Sequence, residues 1–311
     1  MSRLFDVYMA VDWSSANSPS PTRPTKDAIW VGERLASGVN SYASSGEAYF
    51  RTRTECQRLL RGRLMRHSSR GLRVFLGFDF AYGYPAGFAS ALGLDGELAP
   101  WRSVWDEISC LISDGEDNRN NRFEVAARLN ARCGDRQFGP FWGCPQRSQQ
   151  PNLSMKSPGY PYSVKPGLAL ERLRLVDRAQ RGVQEVWKLY GAGSVGGQAL
   201  VGIPVVRRLR NDARFDAFSR IWPFETGFSS EVTPDKGPFI LHAEIFPSNV
   251  PETLDPEIDI RDQDQVRAVV SWLARLDEAE ELAQLFAAPN TLAADDLDTC
   301  TEEEGWIFGS A

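Results

Sequence analysis

The sequence predicts an α/β protein built on a mixed sheet. Three observations lead there. Short apolar runs bounded by turn residues recur at the start, the middle and the later part of the chain. The first three runs are joined by short links, and the third is joined to a fourth through a helical segment. Short links imply antiparallel neighbours, whereas a helical crossover implies a parallel one. The expected core is therefore a five-stranded mixed sheet. Its first three strands form an antiparallel meander, and the fourth and a later strand lie beside the first.

The first strand is expected over residues 6–13, where Tyr8-Met9-Ala10-Val11 runs up to Asp12. Residues 17–26 are rich in Pro, Ser and Thr and read as a loop at the rim of any site near Asp12. Ala28–Gly32 is the second strand and Ala48–Thr52 the third, with a turn around residues 38–46 between them. Thr54 is expected to cap a helix carrying Leu59, Leu60 and Leu64 at helical spacing. Residues 72–80 form the fourth strand, which ends near Asp79.

Residues 85–204 read as an insertion between a first core segment, 1–84, and a second, 205–311. Helices are expected over residues 101–111, 122–130 and 168–181. Residues 148–165, with several prolines and with Lys156 and Lys165, read as a long loop of the kind that closes over sites. Gly191, Gly193 and Gly196 fit the spacing of a dinucleotide fingerprint, but the acidic residue about 20 positions on is missing, since Arg207 to Arg210 fill that region. A turn with close backbone packing, whose amides cradle one anion, fits better. A helix is expected from Ile203 to Phe218, a strand at residues 220–224 and another at 239–246 carrying Glu244. Val266, Val269, Val270, Leu273 and Leu276 recur with helical period in a helix expected over residues 266–286. Residues 302–309 form a tail expected to dock on the sheet.

Composition narrows the function. The 311 residues, 42% of them hydrophobic, supply ample core, and no apolar run reaches the ~20 residues needed to span a bilayer. The start of the chain has neither the basic nor the apolar region of a signal peptide. Five scattered cysteines with no Cys-x-x-Cys pair argue against zinc and for a reduced, cytoplasmic compartment. A net charge of -6 argues against broad nonspecific nucleic-acid binding. Arginines nevertheless crowd residues 51–73 and 207–214, as solvated helix faces or as phosphate contacts.

Asp12, Asp79 and Glu244 each sit on or just after an apolar strand. Carboxylates are rarely buried unless paired or ligated. They are either rim carboxylates with Arg partners or a shared site. Asp262 and Asp264, at the start of the last long helix, either favour its dipole or complete that site.

The motifs Ala10-Val11-Asp12-Trp13-Ser14, Gly77-Phe78-Asp79-Phe80-Ala81-Tyr82-Gly83-Tyr84-Pro85, Asn120-Asn121-Arg122-Phe123, Gly191-Ala192-Gly193-Ser194-Val195-Gly196, Ala243-Glu244-Ile245-Phe246-Pro247-Ser248 and Glu304-Gly305-Trp306-Ile307 resemble an uncharacterised bacterial family of predicted ribonuclease H-like nucleases. Some of its members carry a molybdopterin-guanine dinucleotide biosynthesis label. The resemblance covers nearly the whole chain. It implies a ribonuclease H-like fold and a divalent-metal-dependent phosphodiester hydrolase using Mg²⁺ or Mn²⁺. Asp12 would bridge two metals, Asp79 would hold one, and Glu244 or Asp262 would complete the second. Hard cations prefer such an oxygen donor set. Lys156, Lys165, Arg172, Gly193 and Ser194 would contact the phosphate of a nucleic acid or nucleotide-like substrate. Many proteins of this fold carry paired acids on the last helix, whereas Gln265 and Val266 follow Asp264 here, so Asp262, Asp264 and Asp277 all remain candidates. The alternative is a nucleotide- or phosphometabolite-binding protein that keeps the fold without hydrolysis, with a pocket lined by Trp142, Trp187 and the 191–197 loop.

Overall fold

A computed structural model of the chain describes residues 3–39, 46–134, 138–180, 182–251 and 255–310. Strand β1 spans Val7–Asp12, β2 Ile29–Leu35 and β3 Gly46–Phe50. The turn expected around 38–46 lies mostly outside the described residues. Helix α1 spans Arg53–Ser68 and leads into β4, Arg73–Phe78. Its cap is Thr52 rather than Thr54. The Thr52 hydroxyl accepts from the Glu55 N–H, and the Glu55 carboxylate accepts from the Thr52 N–H. That reciprocal pair satisfies two amides that the first turn leaves without helical partners.

Next come α2 (Phe88–Ala91), α3 (Pro100–Leu111) and α4 (Arg122–Arg132). The lid-like loop contains β5 (Tyr162–Lys165), which pairs with β6 (Leu168–Leu170). The helix expected from 168 onward is therefore only the short α5, Leu175–Ala179. Helix α6 spans Gly196–Arg210 with Pro204 inside it, so it begins well before that proline. Proline removes one helical hydrogen bond, but α6 buries Leu200, Val201, Ile203, Val205 and Val206, and this packing holds it straight through the break. Strands β7 (Ser219–Ile221) and β8 (Phe239–Glu244) follow. Helix α7 spans Arg261–Glu278, and the short α8 spans Leu297–Thr299.

The main sheet has six strands rather than five, in the order β3-β2-β1-β4-β8-β7. The meander β1-β2-β3 is antiparallel, and β1, β4, β8 and β7 are parallel. Alternation along the strands divides the core into two layers. Val7, Met9, Val11, Val74, Leu76 and Phe78 pack with residues of α1, α3, α4 and α6. Tyr8, Ala10, Phe75, Leu241 and Ala243 pack with residues of α7 and the tail. The segment 85–204 thus shares one core with the sheet.

The tail docks as expected. Ile307 bridges to Glu244 in parallel, and the Phe308 N–H donates to the Glu244 carbonyl at 2.8 Å. Gly83 permits the close approach behind it. A Cβ there would lie 2.3 Å from the Glu304 carbonyl oxygen and 2.5 Å from that of Glu303. Gly83→Ala is expected to cost about 1–3 kcal/mol, as overpacking does, read as a lower urea midpoint. An unchanged midpoint would show that the tail yields freely.

Candidate functional site: a carboxylate pair at the ends of β1 and β4

Val11 of β1 pairs with Phe78 of β4, so Asp12 and Asp79 leave the sheet side by side at the carboxyl ends of two parallel strands. In open α/β sheets this edge is where ligands bind. The Asp79 N–H donates to the Val11 carbonyl at 3.2 Å, and the Asp79 carboxylate accepts from the Trp13 N–H at 2.7 Å. These bonds lock Asp79 to the chain just beyond Asp12. No hydrogen-bond donor and no cationic side chain meets the Asp12 carboxylate among the described residues.

Asp12 has the parity of Tyr8 and Ala10, which face α7. Asp262, in the first turn of α7, lies on that side. Its carboxylate accepts from the Asp27 N–H at 2.6 Å, which ties α7 to the loop after β1. An open groove of about 750 Å³ runs beside it, with Arg23, Lys26 and Arg261 on its walls.

Burial pushes the Asp12 carboxyl well above the usual carboxylate range, and the charges of Asp79, Asp262 and Asp27 push it further. Burial and Asp262 likewise raise Asp79 to about 7, against the Trp13 N–H bond that favours its ionised form. Asp262 is raised by burial, and its hydrogen bond from Asp27 opposes the shift. Like charges gathered in a poorly solvated place are a liability unless a cation joins them.

Glu244 does not join this group. Position 245 is the one whose parity matches Asp79, because the Ile245 N–H donates to the Phe78 carbonyl, and it holds an apolar side chain. Glu244 itself shares a parity with Ile240, which packs in the opposite layer. There it meets Arg174 at 2.6 and 2.8 Å and accepts from the Tyr82 N–H at 2.9 Å. Asp264 and Asp277 are also committed elsewhere. Asp264 pairs with Arg267 and accepts from the Asp255 N–H. Asp277 accepts from the Leu4 and Phe5 N–H groups and the Tyr8 hydroxyl.

The expected phosphate contacts are dispersed. Lys156 and Lys165 are exposed and line neither the groove at Asp262 nor the cleft at Arg122. Arg172 pairs with Glu185 at 3.1 Å. Gly193, with φ of 68°, and Ser194 belong to the turn that precedes α6. The turn reading of the glycine run holds, and Trp187 is packed among Tyr84, Phe88 and Phe141 rather than in a pocket.

Residues outside the sequence reading hold the site loop. Arg53 falls in the arginine-rich segment read as solvated helix face or phosphate contact, yet it is 1% exposed. It forks onto Asp114 at 2.6 and 2.7 Å and donates to the carbonyls of Ser14 and Ala16. The buried Asn118 donates to the Ser18 carbonyl, and the Asn120 N–H donates to the Asn17 side chain. The Gln198 side chain donates to the Trp13 carbonyl, which fixes the start of α6 against this loop. An isolated Asn at residue 118 with φ of 67° carries no sequence signal that distinguishes it from a turn residue.

No three His, Cys, Asp or Glu side chains stand in metal-chelating proximity among the described residues. A hard cation does not require three. Mg²⁺ keeps several waters and commonly takes one or two protein carboxylates together with substrate phosphates. Two desolvated carboxylates, one of them without a partner, fit that donor set. Among the described residues no helix is long and apolar enough to cross a membrane. No protein-family model matches the chain, and no curated protein or solved structure is significantly similar to it.

Proposed function

We propose that this protein is a divalent-metal-dependent phosphodiester hydrolase of ribonuclease H-like type, with Asp12 and Asp79 as metal ligands and Asp262 as their acidic neighbour. The observation that carries this reading is the Asp12 carboxylate, set beside Asp79 and meeting no cation or donor among the described residues. Asp262 adds negative charge to both, so the pocket favours a cation strongly. A bound Mg²⁺ or Mn²⁺ would polarise the attacking water and offset charge on the leaving oxygen. The chain itself would orient these groups. The Trp13 N–H fixes the rotamer of Asp79, and Arg53 fixes the loop that follows Asp12. Glu244 has no part in this reading, because its charge is committed to Arg174.

The test is calorimetric titration of Mn²⁺ and Mg²⁺ into the wild type and into Asp12→Asn/Asp79→Asn. Outer-shell changes alone weaken metal affinity by about 10–100-fold, so loss of both ligands is expected to weaken it by more than about 100-fold. Hydrolysis of bis(p-nitrophenyl) phosphate in Mn²⁺ is expected to fall in parallel. Equal metal binding by both proteins would end this reading. A second reading is binding of a nucleotide or phosphometabolite without hydrolysis, as an accessory in cofactor synthesis would require. A cationic, aromatic cleft at Arg122 favours it.

A further inference from the structure

Arg122 is a buried cation without a counter-charge. It opens helix α4 and is 6% exposed, yet it forms no ion pair among the described residues. One guanidinium nitrogen, Nη1, donates to the Asn120 side chain at 2.9 Å, and the Nε is buried with no acceptor. Its nearest carboxylate influence is Asp114, whose two oxygens are already taken by Arg53. The largest charge acting on Arg122 is another cation, Arg53. Burial together with Arg53 lowers its pKa to about 10, so it stays charged at neutral pH. Burying an ion without a partner is expensive, and such an arrangement is explained when an anion supplies the missing charge.

The surroundings suit an anion with a flat attachment. Arg122 lines a cleft of about 460 Å³ together with Asn17, Phe123, Arg147, Ser148 and Tyr190. A second guanidinium thus faces the same space, beside amide and hydroxyl groups. Tyr190 is 51% exposed, an aromatic residue left open to solvent. Phe123 lies beneath the guanidinium of Arg122, at 4.3 Å from ring centroid to Cζ, and holds it flat. The start of α6 packs against Arg122. A Cβ on Gly197 would come within 2.9 Å of the Ser15 Oγ, 3.0 Å of the Leu189 carbonyl oxygen and 3.2 Å of the Arg122 Nε, so the glycine lets these segments pack closely. Asn17 and Ser15 belong to the same loop that leaves Asp12, so the cleft and the carboxylate pair lie along one segment.

We infer that the Arg122 cleft binds the phosphoryl group of a nucleotide-type ligand, with Arg122 and Arg147 on the phosphate and the Tyr190 ring against the base. As a binding site this stands on the cleft alone. As the place where the substrate's phosphate is held, it rests on the hydrolase reading above.

The probes are adenosine monophosphate, inorganic phosphate and adenosine, each titrated calorimetrically into the wild-type chain without added metal. The nucleotide is expected to bind more tightly than phosphate, and adenosine is expected to bind least. A charge-assisted bond lost in Arg122→Gln is expected to weaken both anions by about 10–100-fold. Tyr190→Ala is expected to weaken the nucleotide by about 5-fold or more and leave phosphate unchanged. Arg147→Ala, on the exposed wall, is expected to weaken both anions. Should Arg122→Gln fail to fold, the exposed Arg147→Ala and Tyr190→Ala decide alone, and wild-type affinities in both would overturn the assignment. So would a wild-type chain that binds neither anion, or one that binds phosphate and nucleotide equally and is indifferent to Tyr190. Asp12→Asn is expected to keep nucleotide binding while losing Mn²⁺, which separates failure of the cleft from failure of the carboxylate pair.

Discussion

Arg174→Ala is expected to destabilise the fold by about 3–5 kcal/mol, the range for removing one partner of a buried ion pair. Arg174 is 1% exposed, and Asp177 and Glu244 are 4% and 3% exposed. Its guanidinium meets both carboxylates, Asp177 at 2.9 and 3.1 Å and Glu244 at 2.6 and 2.8 Å, and donates to the Glu304 carbonyl at 3.1 Å. Both ion pairs of the cluster therefore run through one side chain. Truncating it leaves two carboxylates desolvated and adjacent, and removes one hydrogen bond to the tail at the Glu304 carbonyl. Burial already raises the Glu244 carboxyl even with the guanidinium opposing it, so the variant is expected to fold best at low pH, where Glu244 is neutral. Urea unfolding at pH 5 and pH 8 checks both effects. Glu244→Gln completes the test of its role. It is expected to reduce stability while leaving Mn²⁺ affinity at the Asp12 pair unchanged. Loss of metal binding with an intact fold would return Glu244 to the metal site.

In the metal-free protein, stability is expected to fall as pH rises from about 4 through about 7. Asp79 has its folded pKa raised from 3.8 to about 7. Between those values the folded state keeps a proton that the unfolded state has released. Where the native state binds more protons, stability falls with rising pH. Asp12, raised well above its ordinary value, acts in the same direction. The effect is fully absent below the unfolded value and fully developed above the folded one. Asp79→Asn removes the charge and keeps the shape, so at pH 8 in chelator it is expected to melt above the wild type. Each kcal/mol moves the midpoint by about 2–4 °C in a large domain. At pH 5 the two proteins are expected to converge. Mg²⁺ or Mn²⁺ at pH 8 is expected to raise the wild-type midpoint and not that of the variant, because a bound cation offsets the like charges gathered at Asp12 and Asp79. A wild-type midpoint that rises steadily from pH 5 to pH 8, in parallel with the variant, would refute the coupling of these carboxylates.

Part of this was determined by the sequence alone. The meander, the α1 crossover and β4 beside β1 are written in apolar runs and link lengths, which are local properties. Asp12 and Asp79 follow from them, since parallel neighbours end at the same edge. The docking of the tail on the sheet was also readable, and the structure places it on β8. Tertiary structure decided the rest, for stated physical reasons. Glu244 faces away from Asp12 because side chains alternate along β8 and the register with β4 puts Ile245 level with Asp79. A run of letters does not contain that register. Helix α6 passes through Pro204 because burial on all sides outweighs one missing bond. The strand expected at residues 220–224 is β7, three residues long, and its place as the sixth strand of the sheet comes from pairing with β8. Arg53, Arg122 and Arg174 look alike in sequence, as members of an arginine-rich chain. Only the fold makes the first a clamp on the site loop, the third the centre of a buried ion cluster, and Arg122 a buried cation facing an open cleft with no anion of its own.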